Sequence, residues 1–175
     1  MRLTHIVTLI SLVTVFGSAC HADSTACPLT GIKNVYVKVT STSDATKDGI
    51  DQEAYQTKVE LKLREAGIAI TSDESAPWLC VYIDTIDSDD GTIVAITIHS
   101  EILEDATIER LGDKTVTVTS WYDSHIGLAG KDKIKDVVDS CIDEESDTFS
   151  NDYLKDNPPA APTETPATPT NGASQ

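Results

Sequence analysis

From Ile32 the chain alternates. In IKNVYVKVT, Val35, Val37 and Val39 fall on one side and Tyr36 and Lys38 on the other, the period of two that marks a half-buried strand. The polar stretch STSDATKDG suits a loop and the start of a helix. From Ile50 to Ala66 the period lengthens. Tyr55, Val59, Leu63 and Ala66 recur at four, four and three residues and draw one apolar stripe along a helix. Asp48, Asp51 and Glu53 suit its first turns, where acids favour the helix dipole, and Gly67 suits its C-cap.

After a short segment, Ile68 to Thr71, alternation returns. Over Trp78–Ile86, Leu79, Val81 and Ile83 oppose Trp78, Cys80 and Tyr82. The turn Asp87-Ser88-Asp89-Asp90-Gly91 leads into Thr92–Leu103, its Asp-Gly pair signalling a hairpin. There Val94, Ile96, Ile98 and Ile102 oppose Ala95, Thr97, His99 and Glu101. A connection over Glu104–Asp113 precedes a strand at Lys114–Tyr122, with Val116 and Val118 opposing Thr115, Thr117, Thr119 and Trp121. A last helix runs from about Asp132 to Lys155, with a break expected near Asp143–Asp147; Ile134, Val137, Val138 and Cys141 begin its stripe and Phe149, Tyr153 and Leu154 continue it. The order is β-α-β-β-β-α, with room for one short extra strand after the first helix. This predicts an α+β domain: a mainly antiparallel sheet with two helices on one face.

The two ends of the chain differ from this middle. Residues 1–22 carry Arg2, then an uncharged, almost wholly apolar run from Ile6 to Phe16, then the small residues Gly17, Ser18, Ala19, Cys20 and Ala22. That order is a secretory signal peptide, and the run is short of the ~20 residues a bilayer span needs. Cleavage after Ala22 and cleavage after Ala19 both satisfy a small-x-small rule. Gly17-Ser18-Ala19-Cys20 also resembles a bacterial lipoprotein box, departing from it at Gly17, where an aliphatic residue is usual. In that case Cys20 is lipidated and acyl chains tether the protein to a membrane. Residues 23–31 form an N-terminal segment and 32–156 the domain. From 157 onward the chain holds five of its seven prolines and one charged residue, Glu164, a composition too poor in apolar area to offset ordering and inclined to extended conformers. The expected location is the periplasm, or the outer membrane if Cys20 is lipidated.

The 175 residues hold 13 Lys+Arg against 29 Asp+Glu, a net charge of −16. This excludes nucleic acid as the main partner, since phosphate binding needs a basic surface, and excludes adhesion to anionic lipid through a basic patch. Only Arg2 leaves with the signal, so the mature balance is 12 against 29, or −17, and 28 of the 29 acids lie between Asp23 and Asp156. The folded domain itself carries the charge.

The candidate chemistry is sparse. Four cysteines in an exported chain invite disulfides. Cys80–Cys141 is favoured, closing a loop of about 60 residues and contributing ~3–4 kcal/mol. If Leu79, Val81 and Ile83 face the helices, however, Cys80 points away from Cys141, and Cys27 becomes an alternative partner. Paired zinc-ligand spacings are missing. The acidic turn Asp87–Gly91 invites a calcium reading, but its flanks are strands and its Gly comes fifth, not sixth. Tyr122-Asp123-Ser124-His125 brings Ser, His and Asp together, which raises a small hydrolase using His125 and Asp123; adjacent residues rarely converge on one substrate atom, and no nucleophile elbow precedes them. No cofactor motif is read. The surface of most interest is the non-helical sheet face, where Trp78, Tyr82, His99 and Trp121 stand among threonines and form a candidate protein-binding patch.

The passages KVELKLREAGIAIT, PWLCVYIDTI and DSDDGTIVAITIHSEIL, the Trp-bearing TVTVTSWYDS and the ending DTFSNDYLKDN together resemble a family of bacterial envelope modules. These are the amino-terminal domain of the Tol-system propeller protein and related curli-secretion and peptidoglycan-synthase-activator lipoproteins. The resemblance covers roughly residues 32–156 and lies in topology. It implies a binding or assembly part, with a protein partner and no catalysis, and assigns no site residues because the pattern is hydrophobic.

Overall fold

A computed structural model describes residues 28–159. The signal segment, Cys20, Cys27 and most of the proline-rich tail lie outside the described residues. The elements are β1 (Tyr36–Ser41), α1 (Ser43–Lys47), α2 (Gln52–Glu65), β2 (Trp78–Asp87), β3 (Ile93–Ile108), β4 (Lys114–Gly130) and α3 (Ile134–Asp156). The four strands make one sheet in the order β1-β2-β3-β4. β1 runs parallel to β2, while β2–β3 and β3–β4 are antiparallel. The parallel pair requires a crossover, and α1 and α2 supply it. The fold is α+β, as the periodicity predicts.

Side-chain caps explain where α1 and α2 begin. Thr42 caps α1 by accepting the Ala45 N–H, and the Asp51 carboxylate caps α2 by accepting from Glu53 and Ala54. Gly67, at φ +84°, follows α2 and turns the chain in the left-handed region. The segment after it does not become a strand; Ile70 makes a single parallel bridge to Val35. α3 runs unbroken through Asp143–Asp147, where the sequence pattern predicts a break. On one side Lys58 and Lys62 of α2 lace to Asp139, Asp143 and Asp147, spaced four apart, at 2.9–3.2 Å. On the other side Glu145 and Ser146 are buried. The acids that look like a break are a flank held by lysines and a buried polar layer.

The core lies between the helices and one sheet face. Val37, Val39, Leu79, Val81, Ile83, Val94, Ile96, Ile98 and Ile102 meet Tyr55, Val59 and Leu63 of α2 and Val138, Ile142, Phe149 and Tyr153 of α3. The N-terminal segment is fastened to the end of α3. Leu29 N–H donates to Asp156, Gly31 N–H to Asn157, and the Tyr153 hydroxyl to the Ile32 carbonyl at 2.7 Å.

β3 and β4 are longer than their patterns suggest. β3 continues to Ile108 and β4 to Gly130, so half of the stretch expected to connect them is paired strand, and a short turn at Glu109–Asp113 closes it. The pairing contains one irregularity. Ile102 faces Trp121 but Leu103 faces Thr119, which leaves Ser120 as an extra residue on β4. A bulge of this kind shifts the alternation by one.

Candidate functional site

The helices cover one face of the sheet. Among the described residues nothing covers the other, and its residues follow from the register. β1 contributes Tyr36 and Lys38, and β2 contributes Trp78, Cys80, Tyr82, Asp84 and Ile86. Ala95, Thr97, His99, Glu101 and Leu103 come from β3, and Thr119, Tyr122, Ser124, Ile126 and Leu128 from β4.

Aromatic rings run across this face. Tyr36 lies 4.9 Å from Trp78 between ring centroids; Tyr82 stacks on His99 at 4.5 Å and 15°, and His99 lies 6.0 Å from Tyr122. Cross-strand aromatic contacts of this kind stabilise a ladder. Beside them is an apolar end: Ile86, Ile126 and Leu128 are 71%, 81% and 73% exposed, and Tyr122 is 59% exposed. Large apolar side chains at such exposure, grouped on one face, are the signature of a contact surface. Where β2 begins, the face opens into a cleft of about 490 Å³ lined by Glu74, Pro77, Trp78, Leu103, Glu104, Asp105 and Thr117. The Trp78 indole N–H is already committed to the Glu74 carbonyl at 2.7 Å, so the ring offers its apolar body to the cleft.

Three of the four residues singled out in the sequence, Trp78, Tyr82 and His99, share this face. Trp121 does not. The bulge at Ser120 turns it to the helix side, where it is 7% exposed, packs edge-on against Phe149 at 5.1 Å and donates its indole N–H to Asp152 at 3.0 Å. Tyr122 takes the open-face position that uninterrupted alternation assigns to Trp121. The Cys80–Cys141 bridge is also corrected. Cys80 stands on the open face, opposite Lys38 and Glu101, whereas Cys141 is on α3, packed against the core beneath the other face, and both are free thiols. The four-stranded sheet separates them. Burial pushes both thiols up from their ordinary value, aided at Cys141 by Glu144 and Glu145. Neither is a ready nucleophile. Burial likewise pushes the Tyr82 phenol up to about 12, with Cys80 and Glu101 adding to the effect.

His125 belongs to β4, not to a loop, and faces the helices. Its Nδ1 lies 3.2 Å from Glu145, a carboxylate 2% exposed, and its Nε2 lies 3.5 Å from Glu144. The Ser100 hydroxyl, on neighbouring β3, donates to the same Glu145. Burial raises the Glu145 carboxyl; the Ser100 and His125 contacts oppose this, and the Asp123 charge reinforces it. Sequence reasoning missed this cluster because Ser100 and Glu145 each sit at an apolar-face position of an otherwise regular pattern. It is not the arrangement of a hydrolase triad. The hydroxyl is bonded to the acid rather than to the imidazole, and Ser124, the serine beside His125 in sequence, points to the opposite sheet face. At the acidic turn, Asp90 accepts from Ser88, from the Thr92 N–H and from the Thr92 hydroxyl at 2.7–3.1 Å. Its carboxylate closes the hairpin. Among the described residues no group of three or more Asp, Glu, His or Cys side chains is placed to hold a metal ion.

Fold and site together define an α+β module whose sheet is buried on one side and bare, aromatic and apolar on the other. No family model and no curated protein matches the chain. Among solved structures it is similar to a minor lipoprotein from Acinetobacter baumannii, at 13% identity and a TM-score of 0.35, over 73% of this chain and 95% of that one. It is also similar to the rare lipoprotein B of Shewanella oneidensis, at 12% identity and a TM-score of 0.29, over 69% of this chain and 91% of that one.

Proposed function

We propose that the chain is an exported protein of the bacterial envelope that works by binding another protein, without catalysis, through the open face of its sheet. The observation that carries this reading is the bare face itself. Tyr122, Ile126, Leu128 and Ile86 remain more than half exposed beside a cross-strand row of aromatic rings. The signal-like residues 1–22 support export, and the rest of the surface supports selectivity. With 29 acids against 13 bases in the chain, a like-charged surface is repelled except where the contact face is poor in charge. A partner that fits is therefore neutral or basic with an apolar patch of its own.

The test is a Trp78→Ala, Tyr82→Ala double variant and a Tyr122→Ala, Ile126→Ala double variant, each checked for native circular dichroism and used as bait beside the wild type. Folded variants that lose a partner retained by the wild type support the reading. Folded variants that keep every partner overturn it. Mass spectrometry of the exported protein separates cleavage after Ala22, cleavage after Ala19, and a lipidated Cys20.

A further inference from the structure

We infer that the outer edge of β4 pairs with the same edge of a second copy, joining two sheets into one across a two-fold axis at Ser124. Among the described residues β4 is the last strand of the sheet, so one row of its backbone N–H and C=O groups has no strand beside it there. The Lys131 N–H donates to the Thr92 carbonyl, which sets the phase of the β3–β4 ladder. The odd residues from Trp121 to Ala129 exchange hydrogen bonds with β3, and the even residues Tyr122, Ser124, Ile126 and Leu128 turn theirs outward.

Exposed edges are usually blunted by lysine, proline or an inward charge. This one is not. Between Trp121 and Gly127 the acidic or basic side chains are Asp123 and His125 alone, in a protein of net charge −16. Turned back on itself about Ser124, that segment sets complementary rather than identical residues opposite one another. In an antiparallel pairing centred there, Asp123 meets His125 of the second copy, acid against imidazole, and Tyr122 meets Ile126, an aromatic–β-branched pair of the kind that stabilises sheets. Ser124 meets itself, and Trp121 meets Gly127, large against small. The outward-facing even residues fall opposite one another, as an antiparallel ladder requires. Self-complementarity in charge, size and hydrogen-bond phase identifies the occupant as a second copy, because a two-fold interface needs one patch to complement itself.

The test uses sedimentation of the exported protein. The expected result is a concentration-dependent mass of two chains. An oxidised Ser124→Cys variant should give a covalent dimer whose peptide map joins position 124 to position 124, since a hydrogen-bonded antiparallel pair sets Cα atoms about 5.5 Å apart, within the roughly 4.4–6.8 Å that a disulfide spans. Ile126→Pro removes an outward N–H without touching the β3 ladder and should give single chains. Ile126→Lys changes a side chain 81% exposed, should fold normally, and should weaken the dimer too. Ile86→Lys, on the open face but away from the edge, should leave it intact. Single chains at every concentration overturn the inference, as does a dimer that survives Ile126→Pro or one that is lost in Ile86→Lys.

Discussion

The two faces of this sheet are made by the same strands and the same alternation, yet they have opposite fates. On the helix side Ile98, Ile83 and Val39 are fully buried under α2 and α3. On the other side Ile86 and Ile126 are as aliphatic but 71% and 81% exposed. What separates them is the partner layer: both long helices pack on one side, and nothing among the described residues covers the other. Apolar residues on the covered face are held by packing, whereas the same residue types on the uncovered face leave apolar area open for the contact proposed above.

The two tryptophans give the largest test of that difference. Trp121→Ala should destabilise the fold by about 3–5 kcal/mol in urea denaturation, because it empties a packed site beside Phe149. Trp78→Ala, on the open side, should cost about 1 kcal/mol. Similar losses from both would erase the distinction between the faces.

A smaller effect probes the polar layer beneath α3. Folded Glu145 holds its proton to higher pH than the ordinary value of 4.5, chiefly because it is buried. The folded state then binds more protons than the unfolded chain. Its contribution is fully present below the ordinary value and is lost as pH rises through the raised one. In Glu145→Gln that slope should disappear, so the difference between wild type and variant should turn against the wild type as pH rises through this window. Parallel stability curves for the two proteins would contradict the placement of Glu145.

Smaller again is the lysine ladder. Lys58→Ala and Lys62→Ala should each cost up to about 1 kcal/mol, and the loss should shrink in high salt, because these pairs are partly exposed. The smallest effect belongs to the open face. Tyr122→Ser should change stability by no more than about 0.5 kcal/mol. A stability loss as large as that of Trp121→Ala would mean that the face is structural.

Much of this arrangement is legible in the residues. β1, β2 and the first ten residues of β3 alternate without interruption, and their faces, including Trp78, Tyr82 and His99, follow from counting by two. β4 is different because its bulge falls on Ser120. A serine there has no unusual backbone requirement and leaves no mark in the sequence, and one extra residue sends Trp121 into the core. The far halves of β3 and β4 look like connections because Glu104 and Asp105, and then Ser124 and Gly127, interrupt the hydrophobic pattern. They form strands because the end of β3 pairs with the start of β4, and the end of β4 with the start of β3, along one long ribbon. Gly127 has a packing reason, since a Cβ there would stand 3.1 Å from the Val137 side chain. The Cys80–Cys141 pairing conflicts with the alternation of β2, and the sheet follows the alternation.

The most direct test of the open face as the contact surface is site-specific photocrosslinking in the cells that make the protein. A photoreactive residue would be placed at His99, in the middle of the bare face, and separately at Thr57, on the exposed surface of α2. Adducts to a discrete partner at His99 and none at Thr57 are the predicted result. The same adducts at both positions, or adducts at Thr57 alone, would contradict it.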